Sequence, residues 1–113
     1  MKRLGRGRVK TVYLIDEETV LKECGSPAAL LGELAKLIMA HALGYPVALP
    51  LRILGTGFVQ ERLRMLPDDP EMGYWWYFDD PACKPGVEDL KAGNLGYNSE
   101  GVLVIHDCEI AGW

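Results

Sequence analysis

Short apolar bursts alternate with glycine, proline and acidic turns along most of the chain, and one longer run has helical spacing. Val12–Ile15 and Thr19–Lys22 flank the charged turn Asp16-Glu17-Glu18, a pattern that predicts a hairpin, with room for one further strand before it. Ser26-Pro27 opens a helix from Pro27 to Leu43: a capping hydroxyl precedes a proline at the first helical position, and Gly44 with Pro46 ends it. Leu30, Leu31, Leu34, Leu37, Ile38 and Ala42 form its apolar stripe, with His41 inside the stripe and Glu33 at its edge. A surface pair of Glu33 with Lys36 is the simplest use of that carboxylate. Leu51–Leu54 and Phe58–Arg62 read as strands joined through Gly55-Thr56-Gly57, and Leu95–Tyr97 and Val102–Ile105 as a last hairpin turning at 98–101. The expected fold is α+β: an antiparallel sheet with one packed helix over 1–65, then a reduced segment, 66–113, carrying the final hairpin.

Between the two parts, Pro67-Asp68-Asp69-Pro70, Asp79-Asp80-Pro81 and Pro85-Gly86 break regular structure. They enclose Tyr74-Trp75-Trp76-Tyr77-Phe78, and five consecutive aromatics cannot all face one core. At least two are expected in the core. The rest of the Tyr74–Phe78 region is expected to cover a second copy of the chain or another protein.

Composition narrows the classes. At 113 residues, 49% hydrophobic and 25% charged, the chain suits a single globular domain. A net charge of -4, with basic residues gathered only near Lys2, Arg3, Arg6, Arg8 and Lys10, argues against a nucleic-acid binder. Cys24, Cys83 and Cys108 are odd in number and widely spaced, which favours free thiols in a reducing cytoplasm over a disulfide framework or zinc site. No apolar run is long enough to span a membrane and none has the form of a signal peptide, so a soluble cytoplasmic protein is expected.

The densest chemistry lies between Val87 and Glu109. Asp89-Leu90 followed by Asn94 precedes the last hairpin, and Asp107 follows it, 13 positions beyond Asn94. Such a hairpin sets Asn94 and Asp107 at neighbouring strand ends, where a hard cation such as Mg²⁺ finds oxygen ligands and a phosphate completes its shell. The alternative is an ordinary hairpin whose Asn and Asp merely make turns.

Taken in order, these pieces resemble a shortened protein kinase. Gly5-x-Gly7 with Val12 fits the family's glycine-loop pattern, although Lys10 stands in place of its third glycine. Val20-Leu21-Lys22 resembles the strand bearing the phosphate-contacting lysine, and Glu33 the helix glutamate that pairs with it. Phe58–Leu63, with Glu61, looks like the strand entering the hinge where adenine is held by backbone. Asp89-Leu90-Lys91-Ala92-Gly93-Asn94 matches the catalytic loop, and Asp107-Cys108-Glu109 stands where Asp-Phe-Gly is expected.

The resemblance implies a protein that binds ATP and Mg²⁺ in a cleft between the sheet and the catalytic-loop hairpin. Lys22 would neutralise phosphates and Glu33 orient Lys22. Asn94 and Asp107 would hold the metal, Asp89 would align an acceptor hydroxyl, and Lys91 would contact the transferred phosphate. Val87-Glu88 in place of His-Arg, Cys108-Glu109 in place of Phe-Gly, and the lack of an activation segment depart from the pattern. Two functions therefore stand side by side: a minimal phosphotransferase, and a catalytically inactive kinase mimic that binds and regulates a partner protein. A small α+β interaction domain with coincidental motifs is the third.

Overall fold

The computed structural model describes residues 2–6, 10–66, 78 and 81–112. Its elements run β1 (Lys2–Arg6), β2 (Thr11–Leu14), β3 (Thr19–Glu23), α1 (Pro27–Ala42), β4 (Arg52–Leu54), β5 (Gly57–Glu61), β6 (Arg64–Met65), β7 (Val87–Glu88), a 3₁₀ turn (Ala92–Asn94), β8 (Leu95–Tyr97), β9 (Leu103–Ile105) and β10 (Glu109–Ile110). This is an α+β protein with a five-stranded antiparallel sheet, one helix and two small antiparallel sheets. By its contacts the chain divides into two compact units. The first comprises Met1–Ala35 and Leu49–Arg62, the second Lys36–Ala48 and Leu63–Trp113.

The first unit carries the five-stranded sheet, in the order β1-β2-β3-β5-β4. The acidic turn between β2 and β3 closes on Asp16, whose carboxylate accepts from the backbone of Glu18 at 2.8 Å and of Thr19 at 2.9 Å. β3 is the central strand, and Val20, Leu21 and Lys22 on it are all buried. Beyond β3, the Glu23 carboxylate accepts from the Thr56 hydroxyl and from the Gly25 amide at 2.9 Å, tying the strand end to the β4–β5 turn. The two sheet edges differ. β1 presents lysine and arginine and has a register irregularity between Arg3 and Gly5, features that discourage pairing with another strand. β4 presents Ile53 and Leu54, largely exposed, with Leu51 just ahead of it.

Helix α1 begins as its capping chemistry requires: the Ser26 hydroxyl accepts from the Ala29 amide at 3.1 Å. It ends in a Schellman turn, with the Gly44 amide donating to His41 and the Tyr45 amide to Ala40. The stripe predicted for it is corrected in part. Leu30, Glu33, Leu37 and Ala40 make the buried face, whereas Leu31 and Ile38 are 66% and 58% exposed. His41 is exposed too, so it is no core histidine. At 100° per residue the leucines and isoleucine of the helix span an arc of about 120°, while the buried face is centred on Glu33 at one edge of that arc, so Leu31 and Ile38 at its far edge are exposed. Glu33 is buried at the centre of the covered face, and the partner foreseen for it, Lys36, instead pairs with Glu109 at 3.2 Å.

In the second unit, β8 and β9 form the expected hairpin, in register Leu95–Ile105 to Tyr97–Leu103. The Asn98 side chain closes its turn by accepting from the amides of Glu100 and Val102. Two features go beyond expectation: β6 adds a third strand beside β8, and β7 pairs with β10. Ala40, Tyr45, Phe78, Ala92, Leu95, Leu103, Ile105, Cys108 and Ile110 build the core of this unit. Phe78 packs tilted on Tyr45 with centroids 5.7 Å apart, which places one of the five aromatics in the core. Tyr74–Tyr77 lie outside the described residues. Among the described residues no helix is long and apolar enough to cross a membrane, and all three cysteines are free thiols.

Two tests follow from this architecture. Gly44 has φ +94°, and a Cβ there would stand 1.8 Å from the Ala82 carbonyl oxygen. Gly44→Ala is expected to destabilise by about 3 kcal/mol or more, whereas Gly93→Ala, with open space around it, changes little; urea unfolding of both variants checks this. The second test is acid stability. The Thr56 hydroxyl bond, then the Gly25 amide, hold the Glu23 carboxyl below its ordinary value of 4.5. The Glu18 amide and Thr19 hydroxyl do the same for Asp16 relative to 3.8. Both groups bind protons more weakly folded than unfolded, so their stabilisation is full above the ordinary values and is lost as pH falls through the folded ones. Thermal melts of Glu23→Gln should show a flatter decline than wild type from about pH 5 downward.

Candidate functional site

The first unit collects the residues expected to contact a nucleotide. The registers place Gly5 opposite Val12, Val12 opposite Lys22, and Lys22 opposite Phe58. Directly paired residues of an antiparallel sheet share a face, so Gly5, Val12, Lys22 and Phe58 form one row across four strands. Among the described residues, a Cβ on Gly5 would meet nothing within 4 Å. Lys22 is only 3% exposed, and its ammonium lies 6.0 Å from the centroid of the Phe58 ring. Burial of a lysine to this degree is rare without compensating contacts. Gly7 lies outside the described residues.

Glu33 enters the same unit from α1. Its carboxylate accepts from the ammonium of Lys10 at 2.8 Å, and both side chains are at most 10% exposed. The kinase resemblance singled out Glu33, but the pairing with Lys10 escaped sequence reasoning because it joins residues 23 apart, one just ahead of a strand and one on the helix. The one signal available was that Lys10 stands where a glycine was expected. Glu61 closes β5, half-buried and opposite Thr19. The amide of Arg62, next along, donates to the Glu18 carbonyl at 2.8 Å, so that amide is already engaged within the protein.

The second unit brings the remaining candidates together. β7 ends at Glu88, and Asp89 turns the chain with φ +64°, a left-handed conformation rare outside glycine but tolerated by Asp and Asn. The 3₁₀ turn Ala92–Asn94 then leads directly into β8. Asn94 is buried, and its side-chain nitrogen donates to both the Asp89 backbone carbonyl, at 2.8 Å, and the Asp89 carboxylate, at 2.9 Å. Its main-chain carbonyl accepts from the amides of His106 at 3.0 Å and Asp107 at 3.4 Å, just past β9. The hairpin therefore sets Asn94 beside Asp107, as their positions at its two ends predict.

Two further contacts hold this loop. The Asp107 carboxylate accepts from the Cys108 amide at 2.9 Å. Lys91 is exposed and stands 3.5 Å from the Asp89 carboxylate, a surface pair that contributes little to stability. The β7–β10 ladder completes the frame, since it fixes the residue before Asp89 against the segment after Asp107. Sequence reasoning missed that ladder because two-residue strands carry no periodic signal.

Chemically, the loop offers a carboxylate at a sharp turn, an amide oriented by it, and a second carboxylate on the neighbouring strand end. These are hard oxygen donors. Among the described residues no three His, Cys, Asp or Glu side chains come together as a metal cage. The Asn94–Asp107 pair is of the smaller kind that suits Mg²⁺ when phosphate oxygens supply the other ligands. Comparisons of the chain with protein-family models, with curated proteins and with solved structures returned no match in any of the three.

Proposed function

We propose that this chain is a reduced kinase-like domain that binds ATP with Mg²⁺ and presents Asp89 to an acceptor hydroxyl. The observation that carries this reading is the Asn94 network: its buried side-chain amide donates to Asp89, and its main-chain carbonyl accepts from the backbone amide of Asp107. An ordinary turn asparagine caps its own loop, as Asn98 does in the same hairpin. Asn94 instead links a strained upstream aspartate to a downstream one, the kind of preorganisation that phosphoryl transfer requires.

The donor set fits Mg²⁺. With its nitrogen committed to Asp89, the Asn94 amide turns its oxygen to the other side, and the Asp107 carboxylate lies on the adjoining strand end. When bound, the metal would neutralise charge on the phosphates. Lys22, buried in the Gly5–Val12–Lys22 row of the first unit, is the cation proposed for nucleotide phosphates. Asp89, partly exposed at its turn, accepts or aligns the hydroxyl proton, and Lys91 beside it is placed to meet the phosphoryl group.

One observation favours the inactive-mimic reading. Glu109 stands where the kinase pattern has the glycine that lets the metal-holding segment flex, and it pairs with Lys36 of α1 at the surface. A segment without that glycine suits a binding module that never cycles.

The two readings separate in one experiment. Titration with ATP and Mg²⁺ should show binding that Asp107→Asn weakens by about tenfold or more. Asp89→Asn should leave that affinity within about twofold while cutting any phosphoryl transfer by about a hundredfold or more. An ATP–Mg²⁺ thermal shift identical for wild type and Asp107→Asn defeats nucleotide binding at this loop. Binding without turnover in the wild type, unaltered by Asp89→Asn, selects the mimic.

A further inference from the structure

Helix α1 has a second face, directed to solvent, that the nucleotide reading does not use. We infer that two copies of the chain pair through this face, α1 against α1 in antiparallel orientation. Of its sixteen residues only Glu33 and Lys36 are of the Asp, Glu, Lys or Arg types. Glu33 is buried, and Lys36 pairs with Glu109. The exposed positions between Pro27 and Ala42 therefore carry no Asp, Glu, Lys or Arg. A surface helix ordinarily puts charged residues on its solvent side, and a helix that is apolar all round is covered all round.

The spacing on that face fits a reversed copy of itself. Ala28, Leu31, Ala35, Ile38 and Ala42 recur at intervals of three and four, with alanine at each a position of a heptad and a large residue at each d. At about 100° per residue this seam lies roughly half a turn of the helix from the buried face of Leu30, Glu33, Leu37 and Ala40. Four of the five seam residues are exposed, and Ala35 is half-buried. Reversing one helix sets a positions against d positions. Ile38 then meets Ala35 of the second copy and Leu31 meets Ala42, each contact made twice about the twofold axis. Every layer joins one large side chain to one small one. A parallel pair would stack alanine on alanine and leucine on leucine, and no single interaxial distance suits both.

The helix ends and a glycine favour the same occupant. α1 has no acidic residue in its first turn, and His41 is the one basic residue in its last. The partial charges at its ends thus have little side-chain compensation, and an antiparallel copy sets each end beside the opposite end of its partner. Gly32 flanks the seam, and a Cβ there would meet nothing within 4 Å among the described residues. Glycine inside a helix costs stability relative to alanine. A second helix at close range gives it a use. The contact is small: a helix of sixteen residues is about 24 Å long and about 10 Å across, well under the roughly 800 Å² per partner of a standard interface. The dimer is therefore weak and comes apart on dilution.

Sedimentation velocity of the full chain from about 10 µM to about 1 mM tests this, with circular dichroism to confirm the fold of each variant. The wild type should pass from monomer to dimer within that range. Ile38→Glu should raise the dimer Kd by about tenfold or more, and Leu31→Glu, two turns away, should do the same, which keeps the test decisive where one variant folds poorly. Ala35→Leu should raise it by about threefold or more, because the added side chain holds the helices apart. A merely sticky surface would gain from that leucine, so tighter pairing by Ala35→Leu overturns the layered contact. A wild type still monomeric at about 1 mM overturns the pairing, even where a different protein is found to bind the face. A dimer indifferent to both glutamate variants lies on another surface and overturns it as well.

Discussion

Asn94 makes the contacts on which the arrangement of the second unit depends. It works from both ends: its side-chain nitrogen donates twice to Asp89, and its main-chain oxygen accepts from the segment that begins Asp107. An aspartate at the same place would set two carboxylates against each other, and an aliphatic residue would leave the Asp89 carbonyl without this donor. Each such bond is worth about 1 kcal/mol net, but leaving a buried partner unsatisfied costs more. The network therefore acts more strongly on geometry than on stability. It fixes Asp89 in a left-handed conformation that aspartate tolerates.

The first unit carries buried cations. Lys22 comes from the central strand and Lys10 from the residue ahead of β2, with the helix contributing a carboxylate that accepts from Lys10. A sheet suits that task because its cross-strand pairing fixes lysine stems at set intervals, and burial strips them of alternative rotamers. The second unit's negative and neutral oxygen donors come from loops at strand ends, where short turns can bring main-chain and side-chain atoms together. Sheet rungs and hairpin ends are the two places where a small chain positions polar groups without a large core.

How far sequence reasoning reached depended on the distance over which each feature is specified. The hairpins could be read because turn residues and alternation lie within a few positions of each other. Asn94 beside Asp107 was readable for the same reason, since one short hairpin separates them. The helix was readable in extent and misread in facing, because its buried face is centred on Glu33, a charged residue at the edge of the apolar stripe, and local spacing cannot show that. The Lys10–Glu33 pair joins a strand end to a helix, and no local pattern specifies it. Likewise, β7 and β10 are too short to show periodicity, and they pair only because the hairpin returns the chain to that point.

The division of the chain into two units has a practical side. Each unit is assembled from two separate stretches, and the chain passes from one unit to the other between 35 and 36, 48 and 49, and 62 and 63. The first of those passages falls inside α1. No single cut in the gene therefore yields either unit intact. A fragment ending near residue 62 keeps the sheet strands but strands residues 36–48 without the rest of their unit, and a fragment starting near residue 63 lacks them altogether. Deletion mapping of any activity in this protein would report broken folding wherever the cut was placed, and point substitutions are the route by which its two halves can be told apart.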